Sequence, residues 1–168
     1  LNGGTLLLDP RNIYVRDSSV GGTTLTSDLT NVDQYADGGT TSYRVNSSII
    51  ESAITSGTNV ILKAQRNIYV QSDIIATGTS GGDLTLNAGV DINISANITT
   101  ANGNLTLEAN NESISGRGNN RYSDIDISST VNLGTGDLNI TLGNSNTTGS
   151  YDVNLSLATI NANDITIT

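Results

Sequence analysis

Aliphatic residues recur in this chain at alternate positions in short bursts, and the bursts themselves recur. Between Gly81 and Asn110, Leu84 and Leu86 flank Thr85, Ile92 and Ile94 flank Asn93, and Leu105 and Leu107 flank Thr106. A period of two is the signature of a strand with one buried face. Gly, Asn and Asp separate the bursts. The unit Gly82-Asp83-Leu84-Thr85-Leu86 returns as Gly103-Asn104-Leu105-Thr106-Leu107, a repeat of about 21 residues, which points to stacked supersecondary units. Short strands bounded by turn residues, returning to one pattern after each circuit, predict an all-β parallel β-helix with Leu84, Leu86, Ile92, Ile94, Leu105 and Leu107 inside.

The same pattern extends over most of the chain. Arg11-Asn12-Ile13-Tyr14-Val15 returns as Arg66-Asn67-Ile68-Tyr69-Val70, and later rungs start at Asn59, Asp83, Asn104, Asp137 and Asp164. Their unequal spacing places the surplus in polar turns, at 116–121 and 143–149. Ala64, Ala88 and Ala109 follow three rungs at one place, where a small residue suits a tight corner. With the opening segment this makes roughly five to six coils, or roughly 25–30 Å of solenoid at strand spacing. One excursion, 24–57, exceeds a single turn and reads as an insertion within a single solenoid unit spanning 1–168. Near its end Ser48 and Glu51 have capping-box spacing and Gly57 lies beyond, predicting a short helix near 48–55 that buries Ile49, Ile50 and Ile54.

Composition strengthens this picture. The 168 residues contain no Phe, Trp, Met or Cys, so any core is built from Leu, Ile and Val, which suits the narrow interior of a solenoid better than a wide globular one. A net charge of −9 with no basic run argues against a nucleic-acid partner. No stretch is long and apolar enough for a helical membrane span. Because position 1 is Leu and no signal peptide is present, the chain reads as a segment of something longer. The final rung, Asn163 to Thr168, has no covering helix or charged run. Further coils, or end-to-end self-association at high concentration, are therefore expected.

The absence of His and Cys removes Ser-His-Asp, Cys-His and imidazole- or thiolate-ligated metal chemistry. Carboxylates remain. Asp124 and Asp126, two apart on a strand, share an outer face at about 7 Å, a spacing open to acid–base work on a polysaccharide or to calcium. A solvated strand face explains the alternation of Asp and Ile without either. Loop aspartates Asp28, Asp33 and Asp37 offer a second, unspecific calcium set. Tyr14 and Tyr69 project outward, either as a sugar-stacking platform or as β-favouring residues covering a neighbour. Thr85 and Thr106 match across rungs, but Ile61 and Asn139 break any extended threonine array. Asn46, Asn93, Asn97, Asn104, Asn139, Asn146 and Asn154 each begin an Asn-x-Ser/Thr triplet, which the Asn- and Thr-rich composition itself explains.

The run Gly4-Thr5-Leu6-Leu7-Leu8-Asp9-Pro10, the segment Ile54 to Leu62 and the Gly-Asp/Asn-Leu-Thr-Leu rungs resemble the filamentous-haemagglutinin family of bacterial exoproteins, adhesins exported by two-partner secretion. The resemblance covers most of the chain outside the 24–45 insertion and the two polar turns. It implies a right-handed β-helix in a secreted, surface-attached filament, and an outer-membrane transporter as partner of the full-length protein. The chain lacks the Asn-Pro-Asn motifs of the family's secretion domain. The reading is a non-enzymatic structural and adhesive segment that binds cell-surface or matrix glycans or proteins. The alternatives are a carboxylate-dependent polysaccharide-cleaving enzyme and a calcium-binding structural solenoid.

Overall fold

The computed structural model describes residues 5–8, 10–17, 23–25, 42–114, 122–143, 150–156 and 158–168. In chain order its elements are β1 (Thr5–Leu8), β2 (Asn12–Val15), β3 (Thr23–Leu25), β4 (Ser42–Val45), helix α1 (Ser47–Thr55), β5 (Asn59–Ala64), β6 (Ile68–Val70) and β7 (Ile74–Ile75). They continue as β8 (Leu84–Ala88), β9 (Ile92–Ile94), β10 (Ile98–Thr99), β11 (Leu105–Ala109), β12 (Tyr122–Ile127) and β13 (Thr130–Asn132). The last are β14 (Leu138–Leu142), β15 (Ser150–Asn154), β16 (Thr159–Asn161) and β17 (Ile165–Ile167).

From β5 onward every third strand belongs to the same sheet, and all pairings are parallel, so the chain winds as a three-sided β-helix. Sheet A runs β1-β5-β8-β11-β14-β17, sheet B runs β15-β12-β9-β6-β2-β4-β3, and sheet C runs β16-β13-β10-β7. Five coils and the first side of a sixth are present, as the repeat predicts.

Registration follows from the alternation. Val60, Leu84, Leu105, Leu138 and Ile165 form one inward column of sheet A, and Leu62, Leu86, Leu107, Ile140 and Ile167 form the next. In sheet B the columns are Ile13, Ile68, Ile92, Ile125 and Val153, then Val15, Val70, Ile94 and Ile127. Ile74, Ile98, Val131 and Ile160 line sheet C. These side chains are fully buried through most of the stack, and all six core residues expected from the sequence have no exposed surface. Shifting any strand by one residue would turn its apolar side chains out to water, so the core itself locks the register. Ala64, Ala88 and Ala109 are buried where sheet A turns toward sheet B.

The described parts of the excursion after β2, 23–25 and 42–57, add to the solenoid. Both β3 and β4 extend sheet B beyond β2, while α1 stands on the third side of the first coil, against β5 and β7. Ile50 and Ile54 enter the core, and Ile49 is half-buried. Helix side chains satisfy the open edge of sheet C: Glu51 Oε1 accepts the Ile75 N–H at 2.9 Å and Thr55 Oγ1 the Thr77 N–H at 3.1 Å. Capping differs from the expected box. The N-cap is Asn46, without a side-chain cap bond, and Ser48 is exposed. Asp17, from the turn after β2, instead accepts the Ser47 N–H at 3.0 Å, placing a carboxylate where the helix dipole favours it. The reach of Glu51 to sheet C takes it out of the box.

Between strands, the coils are joined by ladders of Asn and Asp side chains. Each ladder residue immediately precedes the first inward aliphatic of its strand, and its Oδ1 accepts the backbone N–H of the equivalent residue one coil later. At the corner entering sheet A the chain of acceptors is Asn59, Asp83, Asn104 and Asp137, with N···O distances of 2.9, 2.8, 2.8 and 3.2 Å. At the corner entering sheet B it is Asn12, Asn67, Asp91 and Asp124, at 3.2, 3.4, 3.2 and 3.3 Å. Asp73 and Asn97 do the same entering sheet C, at 2.8 and 3.1 Å. Where the ladder residue stands just before its strand, as at Asn67, Asp83, Asp91, Asn97, Asn104 and Asp137, the turn would otherwise leave its N–H without a sheet partner.

The turns entering sheet A bring successive coils very close. A Cβ on Gly103 would stand 2.1 Å from the Gly82 carbonyl oxygen, and one on Gly82 would stand 2.1 Å from that of Thr58. Only glycine fits there. Gly103→Ala is expected to destabilise by about 2–3 kcal/mol, because backbone on both sides must shift. Leu105→Asp is expected to cost about 4 kcal/mol or more, since it strands a charge in the central column. Chemical denaturation measures both; a Leu105→Asp protein with wild-type stability would reject the core assignment.

Candidate functional site

All four candidates named from the sequence, Tyr14, Tyr69, Asp124 and Asp126, stand on the outer face of sheet B. Parallel register brings them onto it from three separate strands, β2, β6 and β12. Tyr14, Tyr69, Asn93, Asp126 and Asn154 form one outward column. Asp124 lies in the neighbouring column, which is the corner ladder of Asn12, Asn67, Asp91, Asp124 and Asp152.

The two tyrosines form a stack. Their ring centroids are 4.8 Å apart with 15° between the planes, which is the distance from one strand to the next. The Arg16 guanidinium carbon lies 5.0 Å from the Tyr14 centroid, a cation–π contact. Asn67 Nδ2 donates to the Tyr69 hydroxyl at 2.8 Å. The rings therefore turn their faces along the solenoid axis and present edges and hydroxyls to solvent. A sugar ring laid between them would have to break the stack. The covering role accounts for the geometry directly.

Asp124 and Asp126 are both half-buried and outward. Asp124 Oδ1 is committed to the Asp152 N–H, so the carboxylate already has a structural task. Its pKa is raised, first by partial desolvation and then by the nearby charges of Asp126 and Asp152, against the lowering effect of the Asp152 N–H. Asp91, one coil earlier, is raised in the same way, with desolvation the leading cause and Asp124 and Asp126 adding to it, while its bond from the Asp124 N–H and Arg66 pull it down. Among the described residues no three acidic side chains converge to hold a metal ion. Asp28, Asp33 and Asp37, the other calcium set, lie outside the described residues, as does Asn146.

Asn93, singled out from the sequence only as the start of an Asn-x-Ser triplet, completes this face with Asp91 and Asp152, neither of which is singled out from the sequence. A signal for the ladder was present: an Asn or Asp stands directly before the first aliphatic of β6, β9 and β12, in Asn67-Ile68, Asp91-Ile92 and Asp124-Ile125. At Asn67 and Asp91 that residue reads from the sequence as turn chemistry alone, and at Asp124 as a candidate carboxylate.

A separate cleft of about 380 Å³ lies at the end of sheet A, bordered by Glu108, Asn110, Asn111, Glu112, Thr141 and Gly143. The Glu108 carboxylate there is held by Asn87 Nδ2 at 2.7 Å and Asn111 Nδ2 at 3.2 Å. None of the four candidates borders it. Among the described residues no helix is long and apolar enough to cross a membrane.

No family model, curated protein or solved structure matches the chain.

Because the tyrosines serve one another, Tyr69→Ala is expected to destabilise by about 1–2 kcal/mol through loss of the stack and its buried area. Tyr69→Phe keeps the stack, loses only the Asn67 bond, and is expected to cost about 0.5 kcal/mol. Equal losses in urea denaturation of the two variants would show that the hydroxyl bond, not the stack, is what matters.

Proposed function

We propose that this chain is a structural and adhesive segment of an exported bacterial surface filament of the filamentous-haemagglutinin kind. It holds its loops out to bind cell-surface or matrix glycans or proteins. The observation that carries this reading is the indifference of the stack to loop length. Asn104 sits on Asp83 after 21 residues and Asp137 on Asn104 after 33, yet the ladder bond is 2.8 Å in both cases. A scaffold that keeps its register while its loops vary is suited to display. Secretion, attachment at the cell surface and an outer-membrane transporter acting on the full-length protein belong to the same proposal. They rest on the resemblance of the rungs and of the Leu-Asp-Pro run.

Support from the outer face of sheet B is of the same kind. Its tyrosines stack on each other, and Asp124, one of the two carboxylates that an enzymatic reading would use, is bonded into the ladder.

The test is a glycan array, followed by incubation with acidic and neutral polysaccharides alongside an Asp124→Asn/Asp126→Asn double variant. Binding without cleavage, unchanged in the double variant, is the expected outcome. Chain cleavage that disappears in the double variant would overturn the proposal in favour of a carboxylate enzyme.

A further inference from the structure

Three aspartates stand one above another on the outer side of sheet B, Asp91 just before β9, Asp124 within β12 and Asp152 within β15. Asp91, Asp124 and Asp152 share one register position on consecutive coils, and the Oδ1 of each of the first two holds the N–H of the next. Asp126 lies on the same outer face two residues beyond Asp124, so four carboxylates occupy three successive rungs. The ladder itself does not require this. Asn12 and Asn67 fill the same position in earlier coils with the same oxygen and the same kind of donor. In the sheet A ladder an amide, Asn104, separates Asp83 from Asp137, and two carboxylates adjoin only at its last step, Asp137 to Asp164. An amide would make each of these bonds without charge, whereas like charges one rung apart repel.

We propose that this run of stacked aspartates is a proton-operated clasp on the junctions β9–β12 and β12–β15. Charged, the carboxylates push the coils apart while their oxygens hold the ladder bonds. Protonated, they keep an acceptor oxygen for each N–H and lose the repulsion, so the coils close more firmly.

Among the described residues, the groups facing this column are few. Asp126 adds negative charge from β12, and Arg66, at the turn before β6, acts on Asp91 in the opposite sense. Asn67 and Tyr69 on the β6 side, Asn93 on β9 and Asn154 on β15 are neutral neighbours, and the Tyr122 phenol is exposed at the start of β12. Asp91 and Asp124 both bind protons more tightly folded than unfolded. The folded state therefore holds more protons than the unfolded one through this window, and stability rises as pH falls. The penalty is fully present above the raised folded values and is gone below the ordinary aspartate value of about 3.9.

This inference stands apart from the adhesive reading and is tested without a ligand. Thermal unfolding of the wild type, Asp124→Asn and Asp91→Asn/Asp124→Asn is compared at pH 7 and at pH 4, at low salt. Both variants retain the Oδ1 acceptors, and each is expected to melt about 2 °C above the wild type at pH 7. The gap should narrow at pH 4, on its way to vanishing below the ordinary aspartate value. Variants no more stable than the wild type at pH 7, or a gap unchanged at pH 4, would overturn the clasp. Carboxyl-carbon NMR titration of the wild type is the second readout. Asp91 and Asp124 should titrate above the ordinary range; ordinary, independent titrations at both would also overturn it.

Discussion

Every other feature of this protein depends on the hydrogen bonding of one coil to the next. A single coil of short strands cannot bury its apolar side chains or satisfy its backbone alone, so each takes its stability from the coils above and below. Within the strands this is ordinary parallel pairing. At the corners, where a turning backbone would leave N–H groups unpaired, side-chain oxygens replace the missing carbonyls, as with Asp83 and the Asn104 N–H at 2.8 Å. The three ladders make the corners part of the stack.

That arrangement explains why the two ends of the described fold differ. At the N-terminal end, α1 replaces a strand and offers Glu51 and Thr55 to the edge of sheet C, closing it to further pairing. At the other, Ile165 and Ile167 are about half exposed, at 51% and 50%. The same contrast separates loops from rungs. Coils of 21 and 33 residues keep the same columns, because core side chains and ladder bonds common to both fix them.

Outer faces inherit the same periodicity. An outward side chain meets its register partners above and below, one strand spacing away, so its chemistry is that of a column. Two tyrosines in one column stack. In the neighbouring column Asp91 and Asp124 resist ionisation, where Asn67 and Asn12 carry no charge. A carboxylate pair two residues apart on β12 thus belongs to a larger acidic surface that includes the coils on both sides.

Alternation of Leu84 with Leu86 and of Ile92 with Ile94, and the return of the motif at Leu105, determined the strand period, the buried columns and the solenoid class. These are local consequences of a two-residue side-chain period and a repeat, and both are written linearly in the chain. The outward direction of Tyr14, Tyr69, Asp124 and Asp126 was legible for the same reason. Tertiary structure alone decided that these four share one face, that the tyrosine faces are turned to each other, and that Asp91 and Asp152 sit against Asp124. It also decided that Glu51 serves the edge of sheet C while Asp17 caps the helix. Those contacts join residues 24 to 55 positions apart, and winding sets them: unequal turns must first be absorbed before one coil's residue can be known to lie over another's.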